Sequence, residues 1–456
     1  MNNYSIKIEN FIKNKYINTY LPELKDKVLY LLQNGKRIRP ILFLLFTGED
    51  DLDFSSNSFK NINNINNTYI NYKSKTNIIY VIATLIEILH SLSLVLDDLP
   101  EMDDDTIRRD NPSFHIKYGI EYTNFFIYYM FNHIGIELDN CNNYFFKDKN
   151  KKKDIEFHIK IINDIQFIIK QNINYLIEGQ YNDLEWSNNV TSNTFVITKN
   201  DVNNTNINNM DSTNTTQFIN EKDIIFELLN VDNELINYIT TIDKINEIEL
   251  NVELNIKKTS SLFNLSITSG YILQLWKNNI NYLNNNEYSK IYKLLSIFSN
   301  ILGYMFQISD DILDSESDKI KNKPNICSII DKNIVRQLLK NGCKWLYDNA
   351  KIIQKLLQNP ACKYSANGLE NYENNNDEEC IKYDSDVYSS DDDSDDTDDT
   401  DGDADGDAYA DGDADGNADA DGNADADADA DGNIKNMTFN LKVMNEIIEK
   451  IENRIN

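Results

Sequence analysis

Two acidic clusters lie far apart in the chain, each at the end of an apolar run: Asp97-Asp98-Leu99-Pro100-Glu101-Met102-Asp103-Asp104 and Asp310-Asp311-Ile312-Leu313-Asp314. Leu92, Leu94, Val95 and Leu96 lead into the first, and Tyr304, Met305, Phe306 and Ile308 lead into the second. Both carboxylate sets therefore project from largely buried helices, where charge is costly unless it is paired or holds metal. Hard oxygen ligands select Mg²⁺, which keeps several waters and also binds phosphate oxygens. Two facing aspartate sets thus predict a diphosphate bridged by Mg²⁺, and an enzyme that ionises a diphosphate ester.

Spacing supports this reading. Asp310 and Asp314 are four apart, Asp311 and Asp314 three apart, so all three can share one helix face. Asp97 and Asp103 are six apart, which a regular helix would set on different sides; Pro100 breaks the ladder and allows a local bulge that brings both to one ligand. Either cluster alone also fits a solvated helix end. The basic residues supply the complement. Lys36, Arg37 and Arg39 crowd a turn bounded by Gly35 and Pro40, and Arg108-Arg109 follow the first cluster closely. Guanidinium forks bind phosphate oxygens bidentately, so a diphosphate site needs such residues near its metals.

Tyr, Ile, Leu and Asn are abundant and no strand-period alternation is sustained, which predicts an all-α fold with a core large enough for a deep pocket. The formal net charge of −30 is mostly local: residues 371–432 hold 26 acidic residues and one Lys, which leaves only −5 for the rest. That segment is a poor partner for nucleic acid. Cys141, Cys327, Cys343, Cys362 and Cys380 form no CxxC pair, as expected of reduced thiols in an intracellular protein. No transmembrane helix is expected, because no run of 18 apolar residues occurs, and the first ten residues lack an apolar signal core.

Helical periodicity places one or two helices over 11–46, a polar loop over 50–75, a helix over 77–98 that delivers the first cluster, and a helix over 157–185. Residues 187–220 read as a disordered polar insert. Helices resume from 223, with further ones over 291–314 and 334–357. Residues 364–433, an Asp-Ser run passing into Asp-Gly-Asp-Ala repeats, cannot bury apolar surface and read as a second disordered insert. Asp401, Asp403, Asp405 and Gly406 mimic half of an EF-hand loop, but its twelfth position is Gly412 rather than a bidentate Glu. Residues 434–456 recover an amphipathic helix, with Leu441, Val443, Met444, Ile447, Ile448 and Ile451 on one face, predicted to pack back on the core. The whole of 1–456 is then a single domain with two insertions.

These motifs together resemble the trans (E-type) isoprenyl diphosphate synthases, the polyprenyl synthetases. The resemblance rests on Gly35-Lys36-Arg37-Ile38-Arg39-Pro40, on His90 through Arg109, on Gly179-Gln180 with Asp183, on Lys258-Thr259, and on Phe306 through Asp314. It covers Gly35 to about Leu357 and the last helix. It implies an isoprenoid synthase-type helical bundle around a deep central cavity, and head-to-tail condensation of isopentenyl diphosphate onto an allylic diphosphate. About three Mg²⁺ ions, held by Asp97, Asp98, Asp103, Asp310, Asp311 and Asp314, would stabilise the departing diphosphate. Lys36, Arg39, His90 and Arg109 match positions that hold isopentenyl diphosphate, and Arg108, Lys258, Thr259 and Gln307 match positions around the allylic group.

His90 could also be a satisfied core histidine, but it precedes Asp97 by seven residues, about two turns, and so shares nearly the same face. Gln180 and Asp183 could equally be interior hydrogen-bond partners. Asp110 departs from the family's usual Gly, and the loop after Asp314 matches poorly; Lys323 is the candidate substrate lysine there, with Lys321 its rival. Product length in this family is set one or two turns before the first cluster, here by Leu89, Leu92 and Ser93, none of them aromatic. Geranylgeranyl or longer products follow. The resemblance also implies a homodimer and a cytoplasmic or plastid-like location. A class I terpene cyclase and a non-catalytic subunit of a heteromeric synthase are the rival readings.

Overall fold

The computed structural model describes residues 2–20, 22–48, 75–142, 152–192, 224–225, 242–278, 280, 286–321, 323, 325–358, 437 and 439–455. The expected polar loop before Lys75, the insert beyond Ser192, the acidic segment 364–433, Cys362 and Cys380 lie outside them. In chain order the helices are α1 (Asn2–Asn14), a 3-10 turn (Tyr16–Thr19), α2 (Pro22–Leu32), α3 (Ile38–Phe46) and α4 (Lys75–Asp97). A hairpin of β1 (Ile107–Arg108) and β2 (Asn111–Pro112) follows, then α5 (Phe114–Tyr118), α6 (Ile120–Asn142), α7 (Lys152–Ser192) and α8 (Ile242–Asn255). A π-turn (Ile256–Ser260) leads into α9 (Ser261–Lys277), α10 (Asn286–Lys321), α11 (Ile326–Ile329), α12 (Lys332–Gln358), α13 (Leu441–Glu452) and a last 3-10 turn (Asn453–Ile455).

The centre of the bundle is α3, α4, α9 and α10, and the first three are apolar over most of their circumference. Every residue of α9 from Leu265 to Trp276 is buried, as is every residue of α4 from Ile78 to Leu89. Such helices cannot face water on any side and have to be enclosed by neighbours. α4 is long and apolar enough to cross a membrane, with a mean hydropathy of 2.1 over an 18-residue window. This corrects the expectation that no stretch of the chain would qualify. Its side chains are 83% buried in the bundle, which makes it the core helix rather than an exposed span. Close approach to α3 requires Gly270: a Cβ there would lie 2.6 Å from the Phe43 carbonyl oxygen.

α12 and α13 are striped instead. Val335, Leu338, Leu339, Gly342, Cys343 and Leu346 recur at helical spacing and pack α12 on α10, while Val443, Met444, Ile447, Ile448 and Ile451 pack α13 on α12. Asn440 caps α13 by accepting from the Val443 amide at 3.2 Å. The Met437 amide donates to the Leu357 carbonyl at 3.1 Å, so the chain leaves and re-enters the bundle at one point on either side of the acidic segment. Cys141, Cys327 and Cys343 are free thiols.

Two elements were not legible beforehand. α6 fell in a stretch with no reading, and residues 187–192 extend α7 into what was expected as insert. The hairpin turns on Arg109 (φ 52°) and Asp110 (φ 62°), both left-handed, as a two-residue turn between twisted strands requires. Glycine is the easy residue there, which explains the family's preference. Asp is among the few others that tolerate the conformation.

Candidate active site

The first cluster begins where α4 ends. Beyond Asp97 the chain loops back on itself: the Asp103 amide donates to the Asp97 carbonyl at 2.9 Å and the Asp104 amide to Leu99 at 3.1 Å. That loop, started by Pro100, brings positions 97 and 103 together despite their six-residue spacing. The π-turn at 256–260 delivers Lys258 and Thr259 from the other side. It is wedged between two glycines, Gly179 of α7 and Gly303 of α10, whose added Cβ atoms would each lie 2.5 Å from π-turn backbone atoms. A single π-turn in a helix commonly marks a functional site.

Lys258 pairs with Asp183 of α7 and lies in the field of Asp97 and Asp103. Burial opposes its charge, but the Asp97 and Asp183 carboxylates outweigh burial and raise the ammonium above its ordinary range. Burial pushes Asp97 up to about 6, with Lys258 opposing and the neighbouring Asp103 and Asp183 adding to the rise. Asp103 is bound at 2.8 Å by Lys323 from the loop after α10. Asp98 is different. It is 1% exposed and is held by both Nε and Nη2 of Arg108, which also reaches Asp105 at 3.2 Å.

The second cluster sorts in the same way. Asp310 accepts from Arg454 of the last turn and lies in the fields of Lys36 and Arg39; burial raises its pKa and Arg454 opposes. Asp311 is 3% exposed, with Oδ1 accepting from Gln307 at 2.8 Å and Oδ2 from the Ile326 amide at 3.0 Å. Burial pushes it up to about 7. Both its oxygens accept hydrogen bonds from the fold, which braces the carboxylate in place. Gln307 in turn accepts from Thr259 at 2.7 Å, joining the π-turn to the same brace. Asp314 is exposed on the helix surface. Among the described residues no three carboxylates converge at ligand spacing; Asp98, Asp103 and Asp310 are each paired with a Lys or Arg instead.

The basic turn lies nearby. Arg37, with φ 57°, is buried and bonded to Glu87 at 2.7 Å and to Glu9 at 2.7 Å, which pins the turn to α4 one helical turn before His90. Lys36 is exposed, while Arg39 is buried with Nη1 at 3.1 Å from His90 Nε2. Guanidinium nitrogens only donate, so His90 Nε2 accepts and its proton is on Nδ1. Burial, then the charges of Arg39 and Arg109, drive His90 well below its ordinary pKa, so the ring is neutral. Burial lowers Arg39 to about 10. Its buried Nε has no acceptor among the described protein atoms, which marks a place for an anion. Arg109, from the hairpin, donates to the Gln33 carbonyl at 3.2 Å.

Of the chain-length positions, Leu89 and Leu92 are buried and Ser93 is half-buried, its hydroxyl donating to the His90 carbonyl at 2.8 Å. Sequence reasoning missed Arg454, which stacks on Phe306 at 4.5 Å as Arg39 stacks on Phe263 at 4.8 Å, the two rings being 5.4 Å apart. A signal existed. The chain has only six arginines among 44 Lys and Arg, and four of them stand in the two basic motifs, so each remaining guanidinium deserved a partner search.

Comparison with known proteins agrees with the motifs. The polyprenyl synthetase family profile matches residues 21–202. A farnesyl diphosphate synthase of Buchnera aphidicola is 26% identical over 308 residues, spanning 66% of this chain and 80% of the relative. The mitochondrial geranylgeranyl pyrophosphate synthase 10 of Arabidopsis thaliana is 36% identical over 105 residues, 22% of this chain and 23% of the relative. A solved geranyltransferase from Helicobacter pylori, complexed with magnesium and isoprenyl diphosphate, overlaps 77% of this chain and 89% of its own at 19% identity and a TM-score of 0.49. The class is that of prenyl-transferring enzymes. Over residues 21–202 the chain is similar to the polyprenyl synthetase family, that of the trans-isoprenyl diphosphate synthases.

Proposed function

We propose that the chain condenses isopentenyl diphosphate with an allylic diphosphate, and that its product is geranylgeranyl diphosphate or longer. The observation that carries this is the presence of two differently built anion sites. One joins carboxylates to cations: Asp97 and Asp103 with Lys258 and Lys323, and Asp310 with Arg454. The other has cations around a neutral imidazole: Arg39, Arg109 and His90, with Lys36 at the rim. An enzyme that only ionises one diphosphate has no use for the second.

The donor set of the first site, hard carboxylate oxygens with amines close by, fits Mg²⁺, and Asp97, Asp103 and Asp310 are the residues to hold it, in a complement of about three ions. Bound there, Mg²⁺ supplies charge stabilisation to a departing diphosphate. Lys323, paired with Asp103, would be free to hold phosphate oxygens if that carboxylate held metal, while Lys258 stays oriented by Asp183. Arg39 Nε and Nη1 and Arg109 clamp the second diphosphate without metal, and the neutral His90 keeps Arg39 oriented. The buried walls of α4 and α9 exclude water from the allylic cation.

Product length is assigned to Leu89, Leu92 and Ser93, none of which carries a ring. Leu92→Phe should shorten the product, read by chromatography of the dephosphorylated prenols. Release of only the C15 product by the wild-type chain would refute the longer assignment. The chain is also proposed to be a homodimer, since Tyr122, Phe125, Tyr129 and Ile136 form an exposed apolar stripe on α6, checked by sedimentation. The reaction is tested by supplying geranyl diphosphate with and without isopentenyl diphosphate. Elongated diphosphates should appear only with both. Cyclised hydrocarbon from geranyl diphosphate alone would contradict the reading.

A further inference from the structure

We propose that Asn325 is a positioning residue that sets Lys323 against the first acidic cluster and so determines the grip on the allylic diphosphate. The proposal rests on the reading of Lys323 as a diphosphate ligand. α10 ends at Lys321 and the chain turns back along it, the Lys323 amide donating to the Asp318 carbonyl at 2.9 Å. Asn325 is 2% exposed and bonded in three directions. Its Nδ2 donates to the Asp311 carbonyl at 2.9 Å and to Asp318 Oδ2 at 2.8 Å, and its Oδ1 accepts from the Cys327 amide at 2.8 Å.

The two acceptors belong to residues seven apart on α10, about two turns, so one amide staples the returning loop along the end of that helix. The orientation is fixed by chemistry. Reversed, the amide would set its oxygen against the Asp311 carbonyl and the Asp318 carboxylate, and its NH₂ against the Cys327 amide, losing all three bonds. The Ile326 amide adds a fourth tie, to Asp311 Oδ2 at 3.0 Å. Asp311, the brace of the second cluster, and the loop that serves the first cluster are thereby one unit.

Lys323 comes two residues before this staple. Its ion pair with Asp103 joins two groups that are each about a quarter exposed, 27% and 27%. A pair that open to water contributes little against the side-chain entropy of a lysine. The ion pair does not hold the loop in place; the buried Asn325 does, and the lysine follows. An ammonium on a flexible stem gains a defined address only from where its backbone is held.

The test uses the full chain with Lys323→Ala, Asn325→Asp, Asn325→Ser and the corresponding double variants, measuring kcat and both KM values with geranyl and isopentenyl diphosphate. Asn325→Asp keeps the size but sets a carboxylate against Asp318 and Asp311; Asn325→Ser keeps the cap acceptor and serves if the Asp variant does not fold. Lys323→Ala should raise the KM for geranyl diphosphate about tenfold, and each Asn325 variant should raise it severalfold, with kcat and the isopentenyl diphosphate KM within about twofold of wild type. In the Lys323→Ala background the Asn325 variants should add less than about twofold, because they act through that lysine. Full additivity, or equal changes in both KM values, overturns the proposal while leaving Lys323 a ligand. An unchanged geranyl diphosphate KM in Lys323→Ala removes the underlying reading and the proposal together.

Discussion

The first acidic cluster closes a helix and the second lies inside one, yet both treat their paired aspartates alike. The second member of each pair, Asp98 or Asp311, is 1% or 3% exposed and bonded by protein donors, Asp98 through Oδ1 to Arg108 and Asp311 through both oxygens. The first, Asp97 or Asp310, is only partly buried and meets a mobile type of side chain, a lysine or a terminal arginine. A helical step of about 100° cannot aim two consecutive carboxylates at one ligand. Under the proposed function, each Asp-Asp pair on a buried helix divides into one ligand and one brace. The clusters differ in what completes them: Asp103 folds back beside Asp97, whereas Asp314 stays on the surface and Arg454 fills in from the far end of the chain.

The largest effect expected of this division is on turnover. Asp97→Ala and Asp310→Ala should each lower kcat/KM about a thousandfold or more, the scale for losing transition-state charge stabilisation. Equal losses from Asp98→Asn and Asp311→Asn with wild-type Mg²⁺ dependence and Tm would break the comparison. Next comes stability. Asp311→Ala strands two buried donors and should cost about 2–4 kcal/mol in urea unfolding, against less than about 1 for Asp310→Ala.

The brace also carries a pH signature. Asp311 is raised in the fold from its ordinary 3.8 to about 7. The folded state then holds its proton more tightly than the unfolded one, so stability is full below pH 4 and is lost as pH rises through 7. For the metal-free chain, unfolding free energy should fall by about 2–3 kcal/mol between pH 5 and 8 from this group, and Asp311→Asn should remove that slope although it starts less stable. A slope unchanged in the variant would place the titration elsewhere. The smallest effect is expected at Arg454: Arg454→Ala frees Asp310 and should tighten Mg²⁺ binding about two- to fivefold by calorimetry.

The sequence showed the bundle and most of the site because both are written in local periodicity. The apolar runs before Asp97 and Asp310 predicted buried helices, and α4, α10 and α12 begin and end within a few residues of expectation at most of their ends. The basic turn was visible from its Gly35 and Pro40 bounds, and the Arg pair from its place just after the first cluster. What was hidden depends on long-range contact. Asn325 reads as an ordinary loop residue until α10 is laid beside it, and the pairing of Arg454 with Asp310 spans 144 residues. Asp98 and Asp311 could be told from their neighbours only by knowing which side of each helix is the core.

Titration of inorganic diphosphate into the chain with and without Mg²⁺, for wild type, Asp97→Asn and Asp310→Asn, tests the shared site most directly. Wild type should bind diphosphate tightly only when Mg²⁺ is present, and either single change should abolish that dependence, because both walls hold one ligand. Mg²⁺-dependent binding that survives either change at wild-type affinity would show that the two clusters do not face a common diphosphate.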